Sequence, residues 1–230
     1  MAIVMYDLAG ADPDLRFSPY CWRTRMALAH KGLAVETIPW RFTEKDVIAF
    51  SGQERVPVIR DGDRVVSDSW AIAEYLEDAY PDRPSLFGGA GGRAHARFVN
   101  AWADGVMLPG IARLIVRDLL DVVDARDRGY FRQSREARFG RTLEAVQEGR
   151  EGRLAEFQAS LLPVRLVLGR QAWLGGGAPS YADHILFGTL QWPWCASSFE
   201  LLAADDPIAG WRERMFDLFE GLGRRAKRAG

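Results

Sequence analysis

The first eighty residues of this chain alternate short apolar runs with helical stretches, and the order of these elements is compatible with few folds. Runs rich in β-branched and aromatic residues predict strands at 2–6, 34–39, 56–59 and 64–66, and helical spacing predicts helices at 19–31 and 70–80. Asp61-Gly62-Asp63 is a turn signal that makes the last two strands an antiparallel hairpin. The order β-α-β followed by β-β-α predicts a small α/β domain with a mixed four-stranded sheet.

This pattern breaks after the second predicted helix. The segment at 81–84 contains two prolines that stop the helix, and the glycine-rich run at 88–92 predicts a flexible joint. We therefore predict a first domain at residues 1–84, a linker at 85–92 and a second domain at 93–230. Strand signals disappear after the linker, so we expect the second domain to be all-α.

Helical periodicity defines three segments in the second half, at residues 98–115, 131–146 and 161–168. A fourth helix start is marked by Ser180 and Asp183, which stand three residues apart ahead of an apolar run and predict a capping box. Pro193 lies inside the segment that follows, and we expect it to end or kink that helix.

Composition and charge exclude several classes of function. The chain has 30 lysines and arginines against 31 acidic residues, so it lacks the general cationic surface that nucleic acids or anionic membranes require. No run reaches the ~18 apolar residues of a membrane-spanning helix. Two distant cysteines, Cys21 and Cys195, and an amino terminus without an export signal predict a cytoplasmic protein. The three histidines are scattered and lack paired cysteines, so no metal site is expected.

Ser18-Pro19-Tyr20-Cys21 begins the first predicted helix and is similar to a dithiol redox motif whose first cysteine is replaced by serine. Serine at the cap and proline at the first helical position are by themselves a favoured helix start. The same hydroxyl lies at the positive end of the helix dipole, where it can donate to a bound anion such as a thiolate. The two interpretations are compatible. Cys21 is expected to be buried, where cysteine behaves as a small hydrophobe.

Two further polar features stand at predicted element starts. Pro57 marks a strand start, and a cis bond before it would present the backbone of Val56 to a peptide-like ligand, whereas a trans bond would be purely structural. Asp68 and Ser69 lead into the second helix. They are either helix caps or a cradle in which Ser69 binds a carboxylate and Asp68 faces an amine.

In their order and spacing these three features resemble the glutathione transferase superfamily, and the likeness covers nearly the whole chain. The chain is most similar to the serine-type members, namely the bacterial β-aryl etherases and the related fungal, FuA-like transferases, which cleave aryl ethers with glutathione. The runs that carry this closer resemblance are residues 18–23, 30–32, 54–59, 68–70, 72–76, 80–84 and 216–219.

The resemblance implies a thioredoxin-like first domain that binds glutathione and a helical second domain that forms the acceptor pocket. It implies that Ser18 stabilises the glutathione thiolate for attack on an electrophilic, aromatic or aryl-ether substrate. The resemblance also implies a role in detoxification and a homodimer, as is usual in this family. The residues that the resemblance assigns to glutathione binding are Val56, Pro57, Asp68, Ser69 and Arg41. Arg41 would bind the glycyl carboxylate, with Lys45 as the alternative.

Tyr20, Trp102 and Met107 are the positional candidates for the acceptor pocket, although helical spacing at Trp102 and Met107 is also typical of core residues. Two other functions stay open from the sequence. One is a glutathione-binding or protein-interaction module without turnover, because a fold does not guarantee chemistry. The other is a glutaredoxin-like thiol–disulfide enzyme that uses Cys21. The attacking cysteine of such motifs is the first one, at the position of Ser18, and this argues against the second alternative.

Overall fold

A computed structural model describes residues 2–229. The first part of the chain forms a mixed sheet with the strand order β2-β1-β3-β4. Strands β1 and β2 pair in parallel, and β3 pairs antiparallel with both β1 and β4. The strands are β1 (Ile3–Leu8), β2 (Val35–Trp40), β3 (Val58–Asp61) and β4 (Arg64–Ser67). The predicted four-stranded mixed sheet is therefore confirmed.

Helices account for the rest of the regular structure. Two lie in the first part, α1 (Pro19–His30) and α2 (Ser69–Ala79), together with a 3-10 segment at Lys45–Ser51. The second part is helical, as predicted. Its helices are α3 (Ala90–Trp102), α4 (Leu108–Ile115), α5 (Leu119–Val122), α6 (Arg128–Phe139), α7 (Leu143–Gln147), α8 (Arg150–Ser160), α9 (Leu162–Leu168), α10 (Tyr181–Ala196) and α11 (Pro207–Gly221).

The glycine-rich run at 88–92, predicted to be part of a linker, is helical in its second half. Helix α3 begins at Ala90, so Gly91 and Gly92 are helical. A Cβ added to Gly92 would lie 1.7 Å from the carbonyl oxygen of Phe87, so only glycine fits this contact. Gly92 thus allows close packing at the start of α3.

Two other helix boundaries differ from their predictions. The predicted helix at 131–146 is divided into α6 and α7 at Gly140, whose φ of 67° is the left-handed conformation in which glycine commonly ends a helix. Helix α10 does not end at Pro193 but continues to Ala196. The predicted capping box at its start is present, and the buried carboxylate of Asp183 also accepts from the indole N–H of Trp211 at 2.9 Å.

Helix α10 crosses the first turns of α1 at Gly188. An added Cβ at Gly188 would lie 2.5 Å from the carbonyl oxygen of Pro19 and 2.9 Å from the amide nitrogen of Arg23. The two backbones touch here because glycine has no side chain. This contact fixes the amino-terminal end of α1 against the helical part of the chain.

A histidine pair closes the other end of the same helix contact. The Nδ1 atom of His30, in α1, lies 2.9 Å from Nε2 of His184, in α10, so one ring donates to the other. Burial lowers the pKa of His184 well below 6.5, and His30 adds to the effect. Burial also lowers the pKa of His30, with Lys31 as the next cause.

Stability is therefore expected to fall as the pH is lowered below 6.5, the ordinary pKa of these groups. Below this pH the two histidines are protonated in the unfolded chain but stay neutral in the folded one. Their contribution to stability is therefore complete only above pH 6.5 and is lost as the pH falls. Denaturant titrations at pH 7.5 and 5.5 would measure the free energy of unfolding. The pH dependence should be weaker in His184→Gln and unchanged in His95→Gln, whose side chain is exposed. Equal pH dependence in all three proteins would contradict the expectation.

Candidate functional site

Ser18 lies at the amino-terminal end of α1 with an extended backbone, and its side chain is buried. Its Oγ accepts a hydrogen bond from the N–H of Cys21 at 3.2 Å. The hydroxyl is therefore a helix cap, and because the backbone N–H satisfies one of its lone pairs, its own hydrogen can be donated elsewhere.

Cys21 is fully buried one turn into α1. Burial raises the pKa of its thiol well above 9.0, and the neighbouring carboxylate of Asp7 raises it further. A thiol held in its protonated form and out of contact with solvent is a poor nucleophile. Cys21 thus packs as a small apolar residue, as expected from the sequence.

The Val56–Pro57 peptide bond is cis, and β3 begins one residue later, at Val58. The carbonyl of Pro57 accepts from the N–H of Asp68 at 3.3 Å, so this segment lies beside the start of α2. Within residues 2–229 the N–H and C=O of Val56 have no hydrogen-bond partner. Both groups are available to pair with an extended peptide.

Asp68 and Ser69 form the start of α2. The Oδ1 atom of Asp68 accepts from the N–H groups of Trp70 and Ala71 at 2.9 and 3.0 Å, which makes Asp68 a helix cap. Its φ of 76° is unusual for a non-glycine residue, and such outliers cluster at functional sites. Ser69 is buried, and its carbonyl accepts from the hydroxyl of Tyr181, in α10, at 2.6 Å. The start of α10 thereby fixes the start of α2.

Arg41 is engaged by protein groups. Its guanidinium lies 3.4 Å from a carboxylate oxygen of Asp124 and 3.7 Å from one of Glu44, and its Nε donates to the carbonyl of Gly10 at 3.2 Å. These contacts join the loop after β2 to the loop after β1 and to the segment that follows α5. Arg41 therefore makes structural contacts, and its binding of the glycyl carboxylate stays a prediction.

Lys45, the alternative cation, lies on the surface. Its ammonium is 2.8 Å from a carboxylate oxygen of Glu54, and both side chains are exposed. Exposed ion pairs of this kind contribute little stability, so a ligand can displace Glu54 at small cost.

The three acceptor-pocket candidates have different environments. Tyr20 is 37% exposed, and the guanidinium of Arg23 lies 4.8 Å from the centre of its ring. Burial raises the pKa of Tyr20, and the carboxylate of Asp104 raises it further. Trp102 is half-buried, whereas Met107 is fully buried in the core and so is closed to solvent. Tyr20 is the candidate that the structure leaves most accessible.

Sequence reasoning missed a buried arginine beside Tyr20. Arg23 is 0% exposed and donates to Asn100 at 3.0 Å, to Asp104 at 2.9 Å and to Thr189 at 3.1 Å. Asp104 lies in a π-helical turn, Ala103–Met107, between α3 and α4, a distortion often found at functional sites. No sequence signal links these residues, because the fold brings them together over 81 positions of separation.

Three of these features offer groups that an extended peptide can use. The amino termini of α1 and α2 supply positive dipole ends, and Val56 supplies unpaired backbone groups. Within residues 2–229 no three histidine, cysteine, aspartate or glutamate side chains are placed to hold a metal ion. In the same range, none of the helices combines the length and the apolar character needed to cross a membrane.

Family models for known proteins match both halves of the chain. Residues 17–79 match the model described as glutathione S-transferase, N-terminal domain, and residues 94–201 match the model for the C-terminal domain of the same family. The chain belongs to the glutathione S-transferase family.

Its similarity to curated transferases is partial. Glutathione S-transferase Z2 of Arabidopsis thaliana is 34% identical over 115 residues, and glutathione S-transferase Z1 of the same plant is 38% identical over 94 residues. The matches cover 46% and 39% of this chain and 50% and 41% of those relatives. The similarity thus spans half or less of each relative.

Fungal transferases of known structure are similar over nearly the entire chain. GSTFuA3 from Phanerochaete chrysosporium superposes with a TM-score of 0.84 at 26% identity, and the match covers 96% of this chain and 97% of that one. GSTFuA2 from the same fungus has a TM-score of 0.76 at 28% identity, with both chains fully covered. CsGST63524 of Ceriporiopsis subvermispora, solved in complex with glutathione, has a TM-score of 0.79 at 25% identity and covers 96% of this chain and 97% of its own. The predicted resemblance to FuA-like fungal transferases is confirmed.

Proposed function

We propose that the protein is an enzyme that transfers glutathione to an electrophilic aromatic carbon and that Ser18 stabilises the reacting thiolate. The observation that carries this proposal is the buried Ser18 hydroxyl at the amino terminus of α1, next to a cysteine that is itself fully buried. The nucleophilic sulfur is then supplied by glutathione. In this proposal residues 1–84 bind glutathione, residues 85–92 connect the domains, and residues 93–230 form the acceptor pocket.

The proposed position of glutathione follows from the groups left available around the sheet edge. Its cysteine backbone pairs with the N–H and C=O of Val56, next to Pro57. Its γ-glutamyl carboxylate accepts from the N–H and hydroxyl of Ser69, and its amine faces Asp68. All of these contacts involve helix starts or backbone groups, which hold a zwitterionic peptide without a large net charge.

The glycyl carboxylate has two candidate partners. Arg41 is engaged with Asp124 and Glu44, whereas Lys45 forms one exposed ion pair. Because an exposed pair is the easier to replace, Lys45 is the better candidate on the structure.

The proposed reaction requires a modest lowering of the pKa of the glutathione thiol. A thiol with a pKa near ~8.5 is ionised to only a few per cent at neutral pH, and lowering that pKa by about two units requires about 2.7 kcal/mol. A charge-assisted hydrogen bond from Ser18 and the dipole of α1 can together supply this amount. The thiolate sulfur then forms a bond to the electrophilic carbon, and the leaving group departs with the electrons of the broken bond.

We further propose that the acceptor is aromatic and that an aryl ether, which releases a phenolate, is one of its forms. Support comes from the exposed ring of Tyr20 beside the Arg23 guanidinium and from the likeness to the fungal transferases. The aryl-ether form rests on the sequence resemblance to the bacterial etherases. A cytoplasmic homodimer is proposed on the same family grounds.

The test is glutathione binding by calorimetry combined with turnover of a halogenated aromatic and of a panel of aryl ethers, epoxides and disulfides. Conjugation with release of halide or phenolate would support the proposal. Glutathione binding without turnover of any acceptor would favour a binding module instead.

Cys21→Ala is expected to keep turnover within about threefold of the wild type, because a buried neutral thiol takes no part in the reaction. Cys195→Ala is the matched control, since it removes the other buried thiol. Loss of activity in Cys21→Ala alone, accompanied by reduction of mixed disulfides in the wild type, would instead indicate the glutaredoxin-like enzyme.

A further inference from the structure

A cavity lies on the outer side of α1, beneath the carboxyl-terminal tail, residues 222–229. Its volume is about 520 Å³, within the range of small-molecule sites. Four cationic side chains line it, two from the region of α1 and two from the tail. They are Arg16, Arg25, Arg225 and Lys227.

This cavity is separate from the candidate active site. Arg23 and Arg25 are two positions apart on α1, and two helical residues are rotated by about 200° around the axis. Arg23 faces the helical part of the chain, where it contacts Asp104. Arg25 therefore projects from the opposite side of α1, and the cavity opens away from Tyr20.

The inner wall of the cavity holds two arginines on one carboxylate. Arg16 and Arg25 both approach the same oxygen of Asp7, at 3.5 and 3.4 Å. Asp7 is fully buried, and its other carboxylate oxygen has no hydrogen-bond partner. One carboxylate between two guanidinium groups leaves an excess of positive charge at this wall.

The outer wall adds further positive charge. Lys227 forms an ion pair with Asp12, but Arg225 donates only to the carbonyl of Glu220 and contacts no carboxylate within residues 2–229. The lining itself contains one acidic side chain, Asp14. With Asp7 and Asp12 included, four cations face three carboxylates, so the site has room for a single negative charge.

The remaining surface is suited to a planar apolar group. The guanidinium of Arg25 lies 4.5 Å from the centre of the Trp22 ring, and its side chain keeps 20% of its surface exposed. Leu222 and Ala226 complete the wall from the tail. A guanidinium group is planar and is a favourable stacking partner for an aromatic ring.

We propose that this cavity binds a small aromatic carboxylate, with the carboxylate on Arg225 and the ring between Arg25 and Leu222. A carboxylate matches both the fork geometry of arginine and the single excess charge. Because the ligand contacts both α1 and the tail, its binding also holds the tail against α1. The site is independent of the proposed transfer reaction.

The test uses the full chain, saturated with glutathione, and naphthoate as the probe in calorimetry. The wild type should bind naphthoate, and Arg225→Ala should weaken binding by at least about tenfold, since a charged hydrogen bond is lost. Arg224→Ala is the matched control: its side chain pairs with Asp217 and Glu213 and does not line the cavity. Arg224→Ala should leave naphthoate binding unchanged. In the wild type, the backbone amides of residues 222–227 should exchange hydrogen more slowly when naphthoate is bound.

Three results would overturn the proposal. The first is the absence of naphthoate binding at millimolar concentration. The second is an equal change of naphthoate affinity in Arg225→Ala and Arg224→Ala. An equal loss of affinity would indicate general charge attraction, and no loss in either variant would indicate binding elsewhere. The third is equal binding of uncharged naphthalenemethanol, which would show that the carboxylate is not recognised.

Discussion

Gly188→Ala is expected to lower the free energy of unfolding by about 3 kcal/mol and to weaken glutathione binding. The new Cβ would meet the carbonyl oxygen of Pro19 at 2.5 Å and the amide nitrogen of Arg23 at 2.9 Å. Both are backbone atoms that no rotamer change can move, so α1 and α10 must separate. Ser18 caps the turn that is displaced, and glutathione binding should fall with it. Denaturant titration and calorimetry with glutathione measure the two effects.

Gly152→Ala is the matched control for this substitution. Gly152 is also helical, in α8, but an added Cβ there meets nothing within 4 Å. Alanine at this position should leave glutathione binding unchanged and stabilise the protein by up to about 1 kcal/mol, the usual difference in helix propensity. If Gly188→Ala behaved like Gly152→Ala, the helix contact would be looser than the structure indicates.

Ser18→Ala is expected to reduce kcat/KM for glutathione conjugation by about a hundredfold, the equivalent of about 2.7 kcal/mol in transition-state stabilisation. Alanine cannot donate to the thiolate, so the pKa of bound glutathione should rise towards its value in water. Stopped-flow kinetics gives the rate, and a titration of the thiolate's ultraviolet absorbance in the binary complex gives the pKa. The second readout separates charge stabilisation from simple loss of binding.

Loss of a helix cap alone cannot produce this result. Thr142 caps α7 by accepting from the N–H of Ala145 at 3.2 Å, outside the candidate site. Thr142→Ala should cost about 1 kcal/mol of stability, as Ser18→Ala also does, while leaving turnover and the thiol pKa unchanged. Unchanged turnover in Ser18→Ala would remove Ser18 from the mechanism.

The parts of this structure that sequence predicts best are those encoded by neighbouring residues. The alternation of strand and helix patterns predicts the mixed sheet, and the Asp61-Gly62-Asp63 turn predicts its hairpin. The helix starts at Ser18, Asp68 and Ser180 are also predicted from the sequence, because a cap and the helix that it begins are adjacent in the chain.

The parts that sequence did not predict depend on contacts between distant segments. The glycine-rich composition around Gly92 predicts backbone freedom, whereas in the structure the small size of Gly92 allows a close contact with Phe87. Arg41 is predicted to bind a ligand carboxylate, and the sequence does not show that it also contacts Asp124, which lies 83 positions away. The same holds for Arg23 and Asp104. Ionic partners of this kind are chosen by the fold rather than by spacing along the chain.

The burial of both cysteines has a consequence for resistance to the electrophiles that the proposed reaction would use. An electrophile reactive enough to alkylate a thiolate is a hazard to any enzyme with an accessible sulfur. Here the chain has only Cys21 and Cys195, and burial raises the pKa of both thiols. In the proposed reaction the reactive sulfur arrives with glutathione and leaves with the product, so each turnover removes the alkylated group and neither cysteine of the chain is alkylated.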